Sequence, residues 1–287
     1  MGEKRVAIIT DSIACLTREL VEQYGIEIIP VNFYTEGRIY RDWIDVTPSE
    51  AYELFLRDPE SFKTSAVSLG DCLNAYRKIS KENSDIICIT LSSKMSAVYD
   101  VFRAAAEQFR EELPQVSIEV LDSRTVAAAE GLIALAAARA AEEGKSLAEV
   151  FRAAQKVRDK VRIIAFMDTV HYVYRSGRIP KAAAKAGSML KIRPLFTFSS
   201  GAPRFVGTVR NKYSGLERLL KVMREKVGQS AVHVVVMHVY AHDEAERLKE
   251  RVSSEFNCTE VWLTEFSPLM GYACGTGTVG LAFYPED

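Results

Sequence analysis

Three apolar runs in the first half of the chain each end in a small hydroxyl residue, and helix-forming sequence follows each of them. They are residues 6–12 (VAIITDS), 86–93 (IICITLSS) and 118–123 (IEVLDS). Short apolar runs that alternate with helices predict a mostly parallel sheet with covered faces. Because ligands of open α/β sheets bind beyond the carboxyl ends of the strands, these endings predict the position of a site. They contain no Lys, Arg or His, which indicates binding by hydroxyls and backbone N–H groups.

The composition of the chain excludes several classes of protein. Its 287 residues, 48% of them hydrophobic, suffice for one large core or two of ordinary size. Lys and Arg total 37 against 38 Asp and Glu, a balance that argues against nucleic acid as the main partner. No apolar segment approaches the roughly 20 residues that cross a bilayer, and no signal-like segment precedes the first strand. We therefore expect a cytoplasmic protein, for which transient membrane contact stays open.

Two capping boxes and a hairpin signal define the organisation of the chain. Thr47 to Glu50 and Ser146 to Glu149 each match the capping-box pattern that opens a helix. In the second half, a turn at residues 199–203 between two strand-like segments predicts a β-hairpin. We therefore predict an α/β protein of two domains. Residues 1–160 form an N-terminal domain with a mostly parallel sheet and helices on both faces, and residues 161–287 form a smaller α/β domain with a mixed sheet and the hairpin.

Several familiar motifs are absent or incomplete. Residues 275–280 match the G-x-G-x-x-G spacing, but no helix and no acidic residue about 20 positions on follow them before Asp287, so a tight glycine turn is the better interpretation. The five cysteines and four histidines lack metal-ligand spacing. Neither a nucleophile elbow nor a Walker sequence is present. The sequence thus predicts no metal and no cofactor.

The hydroxyl-rich turns are the strongest candidates for a site. Thr64-Ser65 and residues 92–96 (SSKMS) join Asp11-Ser12 and Asp122-Ser123 as polar endings. A single Ser or Thr in such a place is commonly a helix N-cap. Several together indicate a convergent anion site, to which the N-termini of the following helices add N–H donors.

A basic cluster surrounds the helix break at Ser176-Gly177. Its members are Arg175, Arg178, Lys181, Lys185, Lys191 and Arg193. A solvated charged face is one interpretation. The alternative is contact with a phosphate-bearing molecule or an acidic partner, with Arg178 as the first candidate and Arg175 and Arg193 beside it.

Two further hypotheses come from these residues. In the first, Ser96 or Ser93 is a nucleophile in acyl or phosphoryl transfer, with Asp11 or Asp122 as its general base. In the second, the chain is a regulatory protein that docks partners through its basic cluster. The absence of histidine from the strand endings favours holding an acid over transforming one.

Taken together in their order and spacing, short motifs along nearly the whole chain resemble the DegV family of bacterial fatty-acid-binding proteins. The motifs are Ile9-Thr10-Asp11-Ser12, Lys63-Thr64-Ser65, Ser92-Ser93-Lys94-Met95-Ser96, Asp122-Ser123, Ser176-Gly177-Arg178-Ile179, Ile192-Arg193-Pro194-Leu195 and Gly280-Leu281-Ala282-Phe283. Three stretches depart from the family pattern. Ala273 stands where the family often has a histidine near the carboxylate, Lys94 and Ala97 replace two glycines of the serine-rich turn, and Ala66-Val67 replace the usual Gln-Pro.

The resemblance implies a two-domain α/β fold with a long-chain fatty acid such as palmitate, stearate or oleate buried between the domains. By motif, Thr64 and Ser96 hold the carboxylate, with Ser65 and Ser93 as neighbours. Asp11-Ser12 and Asp122-Ser123 are then supporting turns. Some family members present the acid to a separate fatty acid kinase, and by that analogy the Arg178 region faces the kinase or the acyl phosphate. The resemblance implies no catalytic residue in this chain.

Overall fold

The computed structural model describes residues 6–178 and 193–286, and the elements of these residues are numbered in chain order. The strands are β1 (Ala7–Asp11), β2 (Glu27–Ile29), β3 (Asn32–Thr35), β4 (Arg38–Arg41), β5 (Lys63–Ser65), β6 (Asp85–Thr90), β7 (Ser117–Asp122), β8 (Arg162–Phe166), β9 (Arg193–Ser199), β10 (Ala202–Val209), β11 (Val232–His238), β12 (Cys258–Glu265) and β13 (Val279–Pro285). The helices are α1 (Arg18–Tyr24), α2 (Pro48–Arg57), α3 (Leu69–Ile79), α4 (Val98–Glu112), α5 (Ala128–Glu142), α6 (Leu147–Lys160), α7 (His171–Arg175), α8 (Lys212–Val227), α9 (His242–Glu255) and α10 (Pro268–Cys274). A short 3-10 turn, Ser12–Ala14, follows β1 directly.

The first sheet consists of four parallel strands in the order β2-β1-β6-β7. Helices α3 and α4 pack as a pair on one face, and α5 and α6 pack as a pair on the other. Because both faces are covered, β1 and β6 are almost completely buried, in agreement with their apolar sequences. The predicted parallel sheet with helices on both faces is confirmed.

The second sheet has six strands in the order β10-β9-β8-β13-β11-β12. Strands β11 and β12 run parallel, and the other neighbouring strands run antiparallel, with β9 and β10 forming the predicted hairpin. Helices α8 and α9 pack on one face. The predicted mixed sheet is therefore confirmed. Its first strand begins two residues after α6 ends at Lys160, beside the predicted domain boundary. The division into residues 1–160 and 161–287 stays a prediction.

A small antiparallel sheet, in the order β4-β3-β5, was not predicted. The sequence pattern predicts one strand over residues 26–33, whereas the chain forms β2 and β3 on either side of Pro30. Proline has no N–H to donate to a strand ladder, so the chain leaves the first sheet there. Strand β5 pairs with β3 in this small sheet and holds Thr64 opposite Phe33.

Helix α5 lies between the two large sheets. It contacts β1 and β6 of the first sheet and β11 and β13 of the second, and nearly all of its residues are buried. Alanine suits this position because its small side chain lets one helix backbone approach two sheets, and a helix that is apolar on every side is typical of a core. At Gly131 an added Cβ would lie 2.4 Å from the carbonyl oxygen of Ala14. The contact between α5 and the 3-10 turn therefore leaves no space for a side chain.

Three further details depart from the sequence-based expectations. Helix α10 and strand β13 were not predicted, although β13 lies inside the second sheet. The tight glycine turn expected before β13 is present, with φ of 80° at Gly275 and 85° at Gly277; the strand that follows it is the unexpected element. The sequence Ser214-Gly215-Leu216-Glu217 predicts a helix cap at Ser214. Helix α8 begins earlier, because Asn211 is its cap and accepts from the Ser214 amide at 2.8 Å.

The helix predicted over residues 182–190 lies outside the described residues, as do Lys181, Lys185 and Lys191. Among the helices that the structure describes, none has the length and apolar character needed to cross a membrane.

We expect Gly131→Ala to lower the free energy of unfolding by about 2–3 kcal/mol, because the new methyl group overlaps the Ala14 carbonyl and forces the backbone apart. Urea denaturation measures this change. Gly70→Ala is the matched control, since its nearest neighbour, the Ser68 hydroxyl, lies 3.8 Å from the added Cβ. The control should be neutral or more stable by up to about 1 kcal/mol. Equal stability of the two variants would contradict the tight contact.

Candidate functional site

A largely apolar cavity, called the main cavity below, lies beyond the carboxyl ends of β1 and β6. Its wall includes residues that follow these two strands and residues of β9 and β10 in the second sheet. It encloses about 690 Å³ of space free of protein atoms, its open mouth included. Its apolar wall consists of Ile13, Leu91, Met95, Val126, Met167, Val173, Phe196, Phe198, Pro203, Leu269, Met270, Ala273 and Cys274.

Two of the predicted hydroxyl residues meet in this cavity. Thr64 reaches it from β5, and Ser96 reaches it from the turn before α4. Within the described part of the chain, neither hydroxyl has a hydrogen-bond partner. No side chain caps α4, so the N–H groups of its first turn also lack a side-chain acceptor. Both hydroxyls are thus free to donate to a ligand.

A cation also lines the main cavity. Arg178 lies at the wall with an exposed side chain, and its guanidinium donates to the carbonyl oxygen of Ser176 at 2.6 Å. The Ser176 hydroxyl lines the cavity too, but it already donates to the Val173 carbonyl oxygen at 2.8 Å. The strand endings indicated a site made of hydroxyls and N–H groups alone. The structure adds the positive charge of Arg178 from a distant segment, and the described wall residues include no carboxylate.

Thr64 and Ser96 are called the clamp below. The two residues predicted as their neighbours lie elsewhere. Ser93 is exposed and does not line the main cavity; its hydroxyl donates to a carboxylate oxygen of Asp122 at 2.6 Å. Asp122 also accepts from the Arg124 amide at 2.8 Å, so it holds the turn together. Ser65 is exposed at the end of β5 and is not a wall residue. Of the four predicted hydroxyl residues, the structure brings Thr64 and Ser96 together.

The other polar residues at the strand ends form hydrogen bonds with backbone groups. The Asp11 carboxylate accepts from the amides of Ile13 at 2.9 Å and Leu91 at 3.0 Å, and both of these residues are walls of the main cavity. The Ser12 hydroxyl accepts from the Val31 amide at 3.2 Å. The Ser123 hydroxyl donates to the Thr125 carbonyl oxygen at 3.2 Å. These side chains fix the turns around the cavity and leave no free donor toward it.

Two arginines of the basic cluster are held by internal contacts. Arg175 pairs with Glu60 at 2.9 Å, and its guanidinium lies 4.9 Å from the centre of the Tyr272 ring. Arg193 pairs with Asp168 at 2.6 Å. Only Arg178, of the three predicted contact residues, lines the main cavity.

Some wall residues carried sequence signals that the pattern analysis did not use. Pro268 after Ser267, with Gly275 beyond, is the proline-first, glycine-last signature of a helix, and α10 supplies several wall residues. Phe196 and Phe198 are two positions apart on β9, so both side chains point to the same face of the strand. The contacts between these segments are long-range, which is why no local pattern indicated them.

The main cavity offers a ligand two hydroxyls, the Arg178 guanidinium and an apolar wall. No histidine, aspartate or glutamate is among its described wall residues, so Ser96 has no general base there. Ser93 has a carboxylate partner in Asp122, but the pair lies outside the cavity. Within residues 6–178 and 193–286, no group of three or more His, Cys, Asp or Glu side chains is arranged to hold a metal ion.

Comparison with known proteins assigns the chain to a family. A family model described as "Uncharacterised protein, DegV family" matches residues 5–286. The chain belongs to the DegV family. A DegV domain-containing protein of Clostridium perfringens is 30% identical over 283 residues, which cover 98% of this chain and 99% of the relative.

Solved structures share the fold over nearly the whole chain. A DegV family protein from Thermus thermophilus, described by its fatty acid binding, has a TM-score of 0.89 at 25% identity and covers 98% of this chain and 100% of its own. A stearic acid-binding protein from Eubacterium ventriosum has a TM-score of 0.86 at 24% identity, with 98% of both chains covered. The family predicted from the motifs and its α/β fold are thus confirmed.

Three acids are buried close to the 3-10 turn of this DegV protein. Burial raises the pKa of Asp11 to about 6, against the opposing hydrogen bonds from its two backbone donors. Burial also raises the pKa of Asp42 to about 7. The pKa of Glu130 in α5 is raised well above its ordinary value, by burial and by the neighbouring Asp11. The raised pKa of Glu130 favours its uncharged form, and Asp42 is close to its midpoint at neutral pH.

The raised pKa of Asp42 predicts a stability that depends on pH. In the unfolded chain this carboxyl titrates near 3.8 and in the folded chain near 7, so the folded state binds the extra proton between these values. The free energy of unfolding should therefore fall as pH rises through this window. Between pH 5 and pH 8, the free energy of unfolding of Asp42→Asn should fall by about 2–3 kcal/mol less than that of the parent protein. Urea denaturation at the two pH values measures this difference.

Asp45→Asn is the control for this experiment. The pKa of Asp45 is lowered by its hydrogen bonds to Arg41, so its titration lies below the window. This variant should keep the pH slope of the parent protein. Parallel stability curves for the parent and Asp42→Asn would contradict the assignment.

Proposed function

We propose that this protein binds a long-chain fatty acid in the main cavity, with the carboxylate held by Thr64 and Ser96. The observation that carries the proposal is the meeting of these two hydroxyls, each without a protein hydrogen bond among the described residues, in a cavity whose other walls are mainly apolar. Fatty acid binding by the Thermus thermophilus relative and stearic acid binding by the Eubacterium ventriosum relative support it.

The two parts of a fatty acid match the two parts of the cavity. The methylene chain gains about 0.8 kcal/mol for each CH₂ that leaves water, and the wall offers Phe196, Phe198 and flexible methionine side chains for it. The carboxylate needs donors, because a buried charge without them is costly. Thr64 and Ser96 supply hydroxyl donors, the free N–H groups at the start of α4 favour an anion, and Arg178 adds a positive charge. Ala273 contributes an apolar surface to the wall.

The first test is the identity of the molecule that purifies with the protein. Mass spectrometry of the lipid extract from denatured protein should show close to one fatty acid per chain, and delipidated protein should take up palmitate or oleate. A protein that carries no fatty acid and takes up neither added acid would overturn the proposal.

The second test separates the clamp from the other hydroxyls. Thr64→Val and Ser96→Ala should each weaken palmitate binding about 10- to 100-fold, the value of one hydrogen bond to a charged group, measured by calorimetry on delipidated protein. Ser93→Ala is the matched control, because Ser93 already donates to Asp122 outside the cavity. Binding that is equally weak in all three variants, or unchanged in all three, would contradict the assigned clamp.

We further propose that the bound acid is the substrate of a separate fatty acid kinase, which transfers the γ-phosphoryl group of ATP to a carboxylate oxygen and leaves ADP. Arg178 supports this step because its exposed guanidinium lines the same cavity as the two hydroxyls. At that position it faces the phosphoryl oxygens as they approach the carboxylate. Catalysis then resides in the kinase and not in this chain.

Arg178→Gln tests this role. With a fatty acid kinase of the same organism and ATP, the parent protein should yield acyl phosphate, and the variant should yield it at least tenfold more slowly at saturating acid. Arg162→Gln, a change at an arginine outside the main cavity, should react like the parent protein. A loss of rate in both variants, or in neither, would argue against a specific role for Arg178.

A further inference from the structure

A second cavity lies on the other side of the 3-10 turn from the main cavity. It encloses about 670 Å³ of space free of protein atoms, including its mouth, and it is bordered by residues near α1, β4, α2 and β12. The 3-10 turn separates the two cavities: Ser12 lines the second cavity, and the adjacent Ile13 lines the main one. Neither Thr64 nor Ser96 borders the second cavity, so it is a different site from the fatty acid cavity.

Two buried polar atoms in the wall of the second cavity lack hydrogen bonds. They are Oδ2 of Asp42 and Oγ of Ser267, each in a residue that is only 2% exposed. Buried polar atoms in folded proteins nearly always have partners, so two unsatisfied atoms in one cavity wall require an explanation. Burial raises the pKa of the Asp42 carboxyl, the nearby Ser12 and Ser267 hydroxyls lower it in part, and a donor within the cavity would complete the hydrogen bonding of this group.

The charged residues of the wall indicate that this donor carries a positive charge. Asp42 and Glu265 are the wall carboxylates, and among the described residues no cation pairs with Asp42. Arg18 is the wall cation, but it donates to the Trp43 carbonyl oxygen at 2.8 Å and its guanidinium lies 4.6 Å from the centre of the Trp43 ring. Glu265 accepts a hydrogen bond from the Ser49 hydroxyl at 2.8 Å, so Asp42 is the wall carboxyl that lacks a charged partner when it is ionised.

The remaining wall includes apolar side chains and a strained residue. Leu16, Val46, Pro48 and Leu263 offer aliphatic surface next to the polar end. Trp43 has a φ of 73°, which is unusual for a bulky residue and places strain at the edge of the cavity. Strain of this kind is concentrated at ligand-binding positions.

We propose that the second cavity binds a small primary ammonium ion with a short aliphatic body. The ammonium group carries three N–H donors and one positive charge, which satisfy Asp42 Oδ2 and Ser267 Oγ and supply the missing charge. The aliphatic body packs against Leu16 and Val46. A neutral alcohol leaves the carboxylate unpaired, and an anion is repelled by it.

Titration with n-butylammonium chloride tests the proposal. At pH 8 in phosphate buffer, calorimetry on the full chain should show saturable binding to one site with a Kd of about 1 mM or lower, which is reasonable for so small a ligand. Tetramethylammonium chloride, which has the charge without N–H donors, should bind at least tenfold more weakly. So should 1-butanol, which has no charge. Absent saturation, or equal binding of the three compounds, would overturn the proposal.

Two variants locate the binding. Asp42→Asn should weaken n-butylammonium binding at least tenfold, and Ser267→Ala, a milder change on another segment, should weaken it at least threefold. Circular dichroism and thermal melting verify that both variants are folded. Unchanged n-butylammonium binding in both folded variants would place the ligand elsewhere and overturn the assignment.

A reciprocal comparison separates this site from the proposed fatty acid site. Thr64→Val should leave the Kd for n-butylammonium within twofold of the parent value, while Asp42→Asn should leave palmitate binding within twofold. If palmitate does not bind, the result for n-butylammonium still stands. If n-butylammonium does not bind, the result for palmitate still stands. Loss of n-butylammonium binding in Thr64→Val would show that the amine enters the main cavity, which contradicts the proposal.

Discussion

The packing of α5 between the two large sheets is the constraint on which the rest of the structure depends. A helix with a sheet on each side must be apolar around its circumference and narrow enough for both sheets to approach. The alanines of α5 meet the first requirement with little volume, and Gly131 meets the second where the helix passes the Ala14 carbonyl. Larger side chains at these positions would separate the sheets and widen the space beyond their strand ends. The width of the main cavity is thus set partly by the sequence of a helix that lines little of it.

The polar groups around the cavity separate into two kinds when their partners are compared. Asp11, Ser12, Asp122 and Ser123 are engaged with backbone groups and hold turns in place. Thr64 and Ser96 reach the cavity without such partners. This division explains how many hydroxyls can cluster at one edge of a sheet while few contact a ligand. The supporting groups are still required, because the Asp11 carboxylate fixes two wall segments at once.

Much of the fold was predictable from local signals, and the failures have physical reasons. The capping boxes at Thr47 and Ser146 were visible because the two partners of a capping box lie three residues apart. Strand β13 was missed because its glycine-rich start resembles a loop, and its place between β8 and β11 depends on pairing with distant strands. The small sheet was missed because Pro30 divides an apparently continuous strand.

The residues of the candidate site could be predicted only in part. Thr64, Ser96 and Arg178 came from motif resemblance and local chemistry, and the structure brings all three to one cavity. Ser93 and Ser65 have the same chemistry in sequence, and only their three-dimensional surroundings distinguish them from the clamp. Likewise, Arg175 and Arg193 find carboxylate partners at Glu60 and Asp168 that no spacing rule indicates.

The 3-10 turn after β1 has a thermodynamic consequence, because Ser12 and Ile13 border different cavities. A wall shared by two binding sites makes their occupancies interdependent whenever a ligand displaces that wall. Such linkage is reciprocal: whatever factor one ligand imposes on the affinity of the other is returned unchanged. A ligand that displaces the 3-10 turn from either side would therefore change the affinity of the other cavity by a factor that is the same in both directions.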